Sequence, residues 1–404
     1  MRHHSRLAIL GSGPIGLEAA LAALDHGLDF TVYEAAGEPA ANVADWGHVR
    51  LFTPWELNVS PRQRRHLAAA GLEAPADGDC PTGEELRRRV LLPLFARPQL
   101  ASRLRLGTRV LAVGRQGLLK HEEIANAARA ARPFRLLLAA PGGEETVHTA
   151  DLVLDCTGSW GHPNPLGDGG IPAPGEERVA DRILHRIPDL AREGEAWAGR
   201  TVLLAGSGHS AQTAARDLAA LAERAPATRV LWALRDAQPD WGAVEGDPLP
   251  ERARLTAEAA ALGSGASTAV EALRGVAVER FHPEGERVRI TLRAGDGELR
   301  EVVVDRVLAL TGAVGDHQLY RQLQVHECYA FGAPMKLSAA LLGAAGGGDC
   351  LEQASHGVEA LTNPEPGFYI LGAKSYGRNN TFLMRTGWEQ VAEVFGAIAP
   401  AAAA

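Results

Sequence analysis

Apolar and polar positions change period several times along the chain, and each change marks an element. Residues 6–10 form a short apolar run, residues 17–24 place apolar side chains at helical spacing, and residues 30–33 return to a strand pattern closing on Glu34. Gly11-Ser-Gly-Pro-Ile-Gly16 separates the first two, so the chain opens as strand, glycine turn, helix, strand. A stretch with turn residues and aromatics (Trp46, Phe52, Pro54, Trp55) precedes a helical pattern over 83–95, for which Thr82 is the expected N-cap. Strand patterns at 135–138 and 151–155 follow, the second running into Cys156-Thr-Gly-Ser-Trp160 and a proline-rich link over 163–174.

The opening pattern then recurs with different ends. Residues 201–205 read as a strand, Gly206-Ser-Gly-His-Ser-Ala211 as the turn, 212–222 as the helix, and 229–234 as the next strand, closing on Arg235. A helix over 252–262 and strands at 276–281 and 288–292 lead to Asp305-Arg-Val-Leu-Ala-Leu-Thr-Gly312, which echoes residues 151–158. Residues 367–371 read as a strand, 372–381 as a polar loop, and 385 onward as a terminal helix. The expected architecture is α/β with two Rossmann-like dinucleotide-binding domains: 1–165, an inserted 166–307, and a return to the first domain over 308–404.

Composition narrows the class. With 404 residues, 46% of them apolar, the chain can bury a large core, and its net charge of −8 gives no general attraction to nucleic acid or anionic membrane. No apolar run approaches the roughly 20 residues that span a bilayer, so a cytoplasmic enzyme is expected. The four cysteines, Cys80, Cys156, Cys328 and Cys350, form no CxxC pair, and no metal site is expected.

The two turns carry the chemistry. In a GxGxxG between strand and helix, the backbone approaches a pyrophosphate and the helix N-terminus offers it free N–H groups. Gly11, Gly13 and Gly16, with Pro14 and Ile15 between them, meet this pattern, and Glu34 stands where an acid would take a ribose diol. In the second turn Gly206 and Gly208 are followed by His209, Ser210 and an allowed Ala211, and the strand-end acid gives way to Arg235. A guanidinium there favours the 2′-phosphate of NADPH over NADH, unless Asp236 serves a ribose instead. Two such sites suggest a flavin paired with a nicotinamide.

On Gly11-Ser-Gly-Pro-Ile-Gly16 with Glu34, Cys156-Thr-Gly-Ser-Trp160 with Pro163 and Pro165, residues 199–211, and Thr311-Gly312, the chain resembles the class B flavin-dependent monooxygenases and their two-dinucleotide-domain relatives, in a bacterial branch. The resemblance implies a glutathione-reductase-like plan, with FAD on a discontinuous first domain and NADPH on the insert. It brings Thr157, Gly158, Thr311 and Gly312 to cofactors, and Thr386 and Gly387, at a helix N-terminus, to the flavin edge. Trp46, His48 and Arg50 are expected to cross near the flavin, with packing the alternative for His48; Lys374 and Arg378 are the other candidates for the active-site face, unless they sit in an exposed polar loop. The family's Phe-x-Gly stretch with a following His is reduced here to His185 in Ile183-Leu-His-Arg-Ile-Pro188.

Three functions stay open. NADPH would reduce the flavin, which would then form a hydroperoxide with dioxygen and oxygenate a small molecule; or reduced flavin would pass electrons to a disulfide, quinone or metal species; or the folds would only sense NADPH. Cys350 with His356 admits a reactive thiol pair or an inert cysteine. Homodimerisation is compatible with the sequence and not required by it.

Overall fold

The computed structural model describes residues 6–343, 351 and 355–398. They form two compact units, one of residues up to His162 together with those from Val314, the other Pro163–Ala313.

In the first unit the run Arg6–Leu10 lies inside a parallel sheet of five strands, in the order Phe368–Ile370, Leu152–Asp155, Arg6–Leu10, Asp29–Tyr33, Leu104–Arg105. Leu7, Ala8, Ile9 and Leu10 are all buried, as a parallel strand covered on both faces requires. Helix Pro14–Asp25 starts with proline at its first position, where the missing N–H has no intrahelical partner to lose. Its Leu17 and Leu21 share a core with Val391, Val394 and Phe395 of the terminal helix Met384–Ile398.

An antiparallel meander, Arg109–Arg115, Phe134–Ala139 and Glu145–Ala150, joins Leu104–Arg105 to Leu152–Asp155. It is tied down by a buried carboxylate. Glu365 accepts from Arg115 Nε at 2.6 Å, Arg129 Nη2 at 2.7 Å and the Gln324 backbone N–H at 2.8 Å. Thr82 caps its helix reciprocally with Glu85, but the predicted helix has a π-helical turn, Arg87–Leu91, between Gly83–Leu86 and Leu92–Phe95.

The second unit repeats the scheme. Its parallel order is Val270–Arg274, Arg229–Leu234, Thr201–Ala205, Arg306–Ala309, Ile183–Leu184, with a meander of Val276–Glu284, Arg287–Ala294 and Leu299–Val304 between Val270–Arg274 and Arg306–Ala309. This is the expected α/β class with two Rossmann-like sheets, the first unit interrupted by the second. Because Arg306–Ala309 pairs in register with Thr201–Ala205, residues 308–313 belong to the second unit. The return to the first comes at Val314 rather than at 308. Among the described residues no helix is long and apolar enough to cross a membrane, and no cluster of three or more metal-ligating side chains occurs.

Candidate functional site

The three glycines of the first turn do different things. Gly11 has φ +94°, and a Cβ on it would lie 2.8 Å from the Cys156 carbonyl oxygen; a Cβ on Gly16 would lie 2.0 Å from the carbonyl oxygen of Gly11. Both must lack a side chain for the helix to pack against the turn. A Cβ on Gly13 would meet nothing within 4 Å, and no side chain caps the helix that starts at Pro14. The open ground lies in front of uncapped N–H groups, which is what a pyrophosphate requires.

Glu34 is oriented toward the same turn. Its Oε2 accepts from Ser12 N at 2.9 Å and Ser12 Oγ at 2.6 Å, and its Oε1 from Ala36 N at 2.8 Å. A carboxylate offers about four acceptor positions, so one is left for a ribose hydroxyl.

A second helix N-terminus lies beside the first. Ile15 would contact a Cβ on Gly372 at 3.1 Å and one on Gly387 at 2.4 Å, so the first turns of Pro14–Asp25 and Met384–Ile398 meet around its side chain. Thr386 and Tyr376 are buried there; their hydroxyls lie close enough to feel each other, yet neither makes a hydrogen bond of normal geometry. Burial pushes the Tyr376 phenol up to about 12, the Thr386 hydroxyl pulling the other way. Two positive helix ends and unsatisfied buried hydroxyls suit an anionic polar group.

The run 372–381, expected as a polar loop, is interior in its first half: Ala373–Tyr376 is a helical turn with Lys374, Ser375 and Tyr376 buried. Lys374 Nζ is 2.6 Å from Asp155 Oδ2 and 3.2 Å from Thr157 Oγ1, and both ends of the ion pair are about 1% exposed or less. Lys374 therefore belongs to a buried ion pair and does not open onto the active-site face for which it was a candidate. Thr157 is bound to the same carboxylate through its N–H and hydroxyl, and Gly158 follows with φ +69°. Arg378 is exposed and lines a cleft of about 520 Å³.

Trp46 packs under Gly83, where a Cβ would meet its ring at 2.5 Å. His48 is half-buried, its Nε2 covered and without a hydrogen bond, while Arg50 is exposed and reaches the Cys80 carbonyl. The segment approaches the glycine turn at its start, where Ala40 N donates to Ser12 O at 3.2 Å.

The second turn repeats the first. Gly206 has φ +121°, and a Cβ on it would lie 2.2 Å from the Leu310 carbonyl oxygen; one on Gly208 would meet nothing within 4 Å, and helix His209–Arg224 has no side-chain cap. Two partners invisible to sequence patterning brace this turn: buried Trp232 donates from Nε1 to Gly206 O at 2.8 Å, and Gln212 Nε2 donates to Ser207 O at 2.9 Å. An indole buried within an apolar strand needs an acceptor, and that need was the available signal. Ser210 is exposed on the first turn of the helix, while burial pushes the half-buried His209 imidazole down, Arg252 adding to this and Asp247 opposing it.

Arg235 follows Leu234 past the register Ala233 to Ala205, so it stands level with the turn; its side chain is 87% exposed and lies only 3.8 Å from Asp236. Thr311 and Gly312 are held by Asn164, which donates to Thr311 O at 3.0 Å and to Gly312 O through its backbone at 2.9 Å. A cleft of about 720 Å³ beside Trp197 and Arg306 is at the opposite, N-terminal edge of the sheet. Cys156 is buried, with its thiol pushed up by burial, so it is no nucleophile. Cys350 lies outside the described residues; His356 is half-buried.

No protein-family model and no curated protein matches the sequence. Solved structures do match its fold. A bacillithiol disulfide reductase from Bacillus cereus is 19% identical with TM-score 0.70, over 98% of each chain. An ornithine hydroxylase from Pseudomonas aeruginosa is 17% identical with TM-score 0.62, over 97% of this chain and 98% of its own. An ornithine N-hydroxylase from Kutzneria sp. 744, whose structure is titled with reduced FAD, NADP+ and L-ornithine, is 14% identical with TM-score 0.58, over 97% and 99%. At these identities the likeness carries the fold.

Proposed function

We propose that the chain is an NADPH-dependent FAD oxidoreductase. The observation that carries this is the doubled glycine turn: each has an open second glycine before an uncapped helix, one bordered by Glu34 and the other by the exposed Arg235. Gly13 and the helix that follows it would hold the FAD pyrophosphate, Glu34 its ribose, and Thr386 and Gly387 the flavin edge. Gly208, Ser210 and Arg235 would hold NADPH. When bound, FAD supplies two-electron chemistry and NADPH the hydride. The fold relative titled with reduced FAD and NADP+ supports the pairing.

Stopped-flow reduction of the bound flavin without oxygen tests it: NADPH should reduce faster than NADH. Arg235→Ala should remove roughly a tenfold share of that preference, the lower end for a charge-assisted contact on an exposed side chain. An unchanged preference removes Arg235 from the site.

Within this class we favour a monooxygenase, on the residues shared with that family and on hydroxylases among the fold relatives. The disulfide reductase reading is supported by the similarity to the Bacillus cereus enzyme. None of the described cysteines is disulfide-bonded, and Cys156 and Cys328 are buried, so on that reading electrons would go directly to a bound disulfide. Reoxidation of the reduced protein by dioxygen, compared with cystine, separates the two readings by which acceptor is faster.

A further inference from the structure

A second constellation lies in the first unit, in the cleft that Arg378 lines. Its wall begins at Val314–Asp316, and Gly315 is packed so tightly on Lys374 that a Cβ there would lie 2.4 Å from Lys374 Cγ. One side chain thus separates the cleft from the Asp155 and Thr157 end of the sheet, the end where parallel sheets bind ligands. The opposite wall is a hairpin in which Glu327–Cys328 pairs with Ala333–Pro334.

Two side chains share one carboxylate oxygen. Glu327 Oε1 lies 3.1 Å from His317 Nδ1 and accepts from the Tyr320 hydroxyl at 2.8 Å. The His317 hydrogen bond holds the Glu327 carboxyl below its ordinary range, while burial and Glu327 keep the Tyr320 phenol protonated as a donor. An ionised Glu327 on Nδ1 fixes the tautomer and leaves Nε2 as the nitrogen that can accept a proton. Arg378 makes no ion pair among the described residues. A Cβ on Gly332 would lie 2.9 Å from Arg378 Nη1 and 3.6 Å from His317 Cε1, so the guanidinium and the imidazole flank one bare glycine. Tyr329, 95% exposed, stands on the rim.

We propose that this cleft binds the substrate, a small monocarboxylate held by Arg378 with its reacting group toward His317. The inference adds a substrate class to the oxidoreductase reading. The unpaired guanidinium takes the carboxylate with paired hydrogen bonds, and Asp316 and Glu327 disfavour a dianion such as phosphate in the same space. His317 Nε2 accepts the proton of an N–H, O–H or S–H on the bound molecule, and Glu327 balances the imidazolium until the proton leaves to solvent. Tyr329 supplies an aromatic face for the apolar part.

Benzoate is a sufficient probe, because binding needs neither NADPH nor turnover. In the full-length protein, benzoate should protect His317 from diethyl pyrocarbonate, mapped by mass spectrometry, and Arg378→Gln should raise the benzoate Kd roughly tenfold and remove the protection. Tyr329→Ala, which touches no charge, should weaken binding and leave the circular dichroism unchanged. Absent protection, protection that survives Arg378→Gln, or equal protection by inorganic phosphate would each overturn the proposal. A protein that NADPH cannot reduce but that benzoate still protects overturns the oxidoreductase reading and leaves this one standing.

Discussion

Lys374 is the residue on which the sequence pattern and the structure divide most sharply, and its removal distinguishes chemistry from architecture. Its ammonium and the Asp155 carboxylate are withdrawn from water and 2.6 Å apart, and the same carboxylate anchors Thr157. In Lys374→Met a chain of similar length fills the space, but Asp155 is left buried with only the Thr157 contacts, and breaking such a pair costs about 3–5 kcal/mol. For a unit of this size each kcal/mol is worth roughly 2–4 °C, so the melting temperature should fall by about 6–20 °C in calorimetry of the full chain. Asp155→Asn combined with Lys374→Met leaves no unpaired charge and should recover at least half of that loss. A Lys374→Met protein that melts within about 2 °C of the parent but does not turn over would refute the argument and return Lys374 to the chemistry.

Other perturbations address separate parts of the molecule. Gly13 has φ −72° and ψ −172°, which valine adopts without strain, and open space around it; Gly13→Val should therefore fold normally, by circular dichroism, yet purify without flavin. The same change at Gly208, φ −70° and ψ 173°, should spare flavin content and abolish NADPH binding in a titration. Acid stability should report Glu365. Burial alone would raise its carboxyl, but the hydrogen bonds from Arg129, Arg115 and the Gln324 N–H outweigh this and hold it below the ordinary 4.5. Its contribution is thus complete above that value and lost as pH falls through the depressed one, so Glu365→Gln should lower the plateau near neutrality and flatten the acid limb of the melting profile.

Both glycine turns, Glu34, Arg235 and most of the strands were legible because each depends on residues within about 30 positions of one another, in a pattern set by backbone geometry. The ion pair of Asp155 with Lys374 spans 219 positions, and Glu365 reaches Arg129 and Arg115 across 236 and 250. No local period encodes such partners. The run 372–381 read as a polar loop because some of its polar groups are satisfied inside the core, Gln390 bonding both Gly372 N and Ser375 Oγ. A charge at the end of a buried strand, as at Asp155, was a legible sign that a cation must come from elsewhere; it did not say from where. The pairing of His317 with Glu327 was hidden because the intervening turn and hairpin bring together residues that no helix or strand spacing relates.

The two units are one scheme executed twice, and their differences fall at the ends of strands. Leu10 pairs with Asp155 and Ala205 with Ala309, so Asp155 and Ala309 hold equivalent places, as do the carbonyls of Cys156 and Leu310 against which Gly11 and Gly206 close. The strand beside that place comes from the C-terminal return in the first unit and from the preceding segment in the second: Phe368–Ile370 and Ile183–Leu184. Only the first needs to fasten a late segment of chain, and it does so with the charge pair to Lys374; the second keeps a neutral alanine. On the proposed reading the exchange of Glu34 for Arg235 sets which dinucleotide each turn takes, whereas the Asp155 and Ala309 exchange changes what is tethered beside the turn. The tether also sets one wall of the cleft through Gly315, so on the proposed reading selectivity for an acceptor is to be sought in the few side chains that Lys374 holds in place.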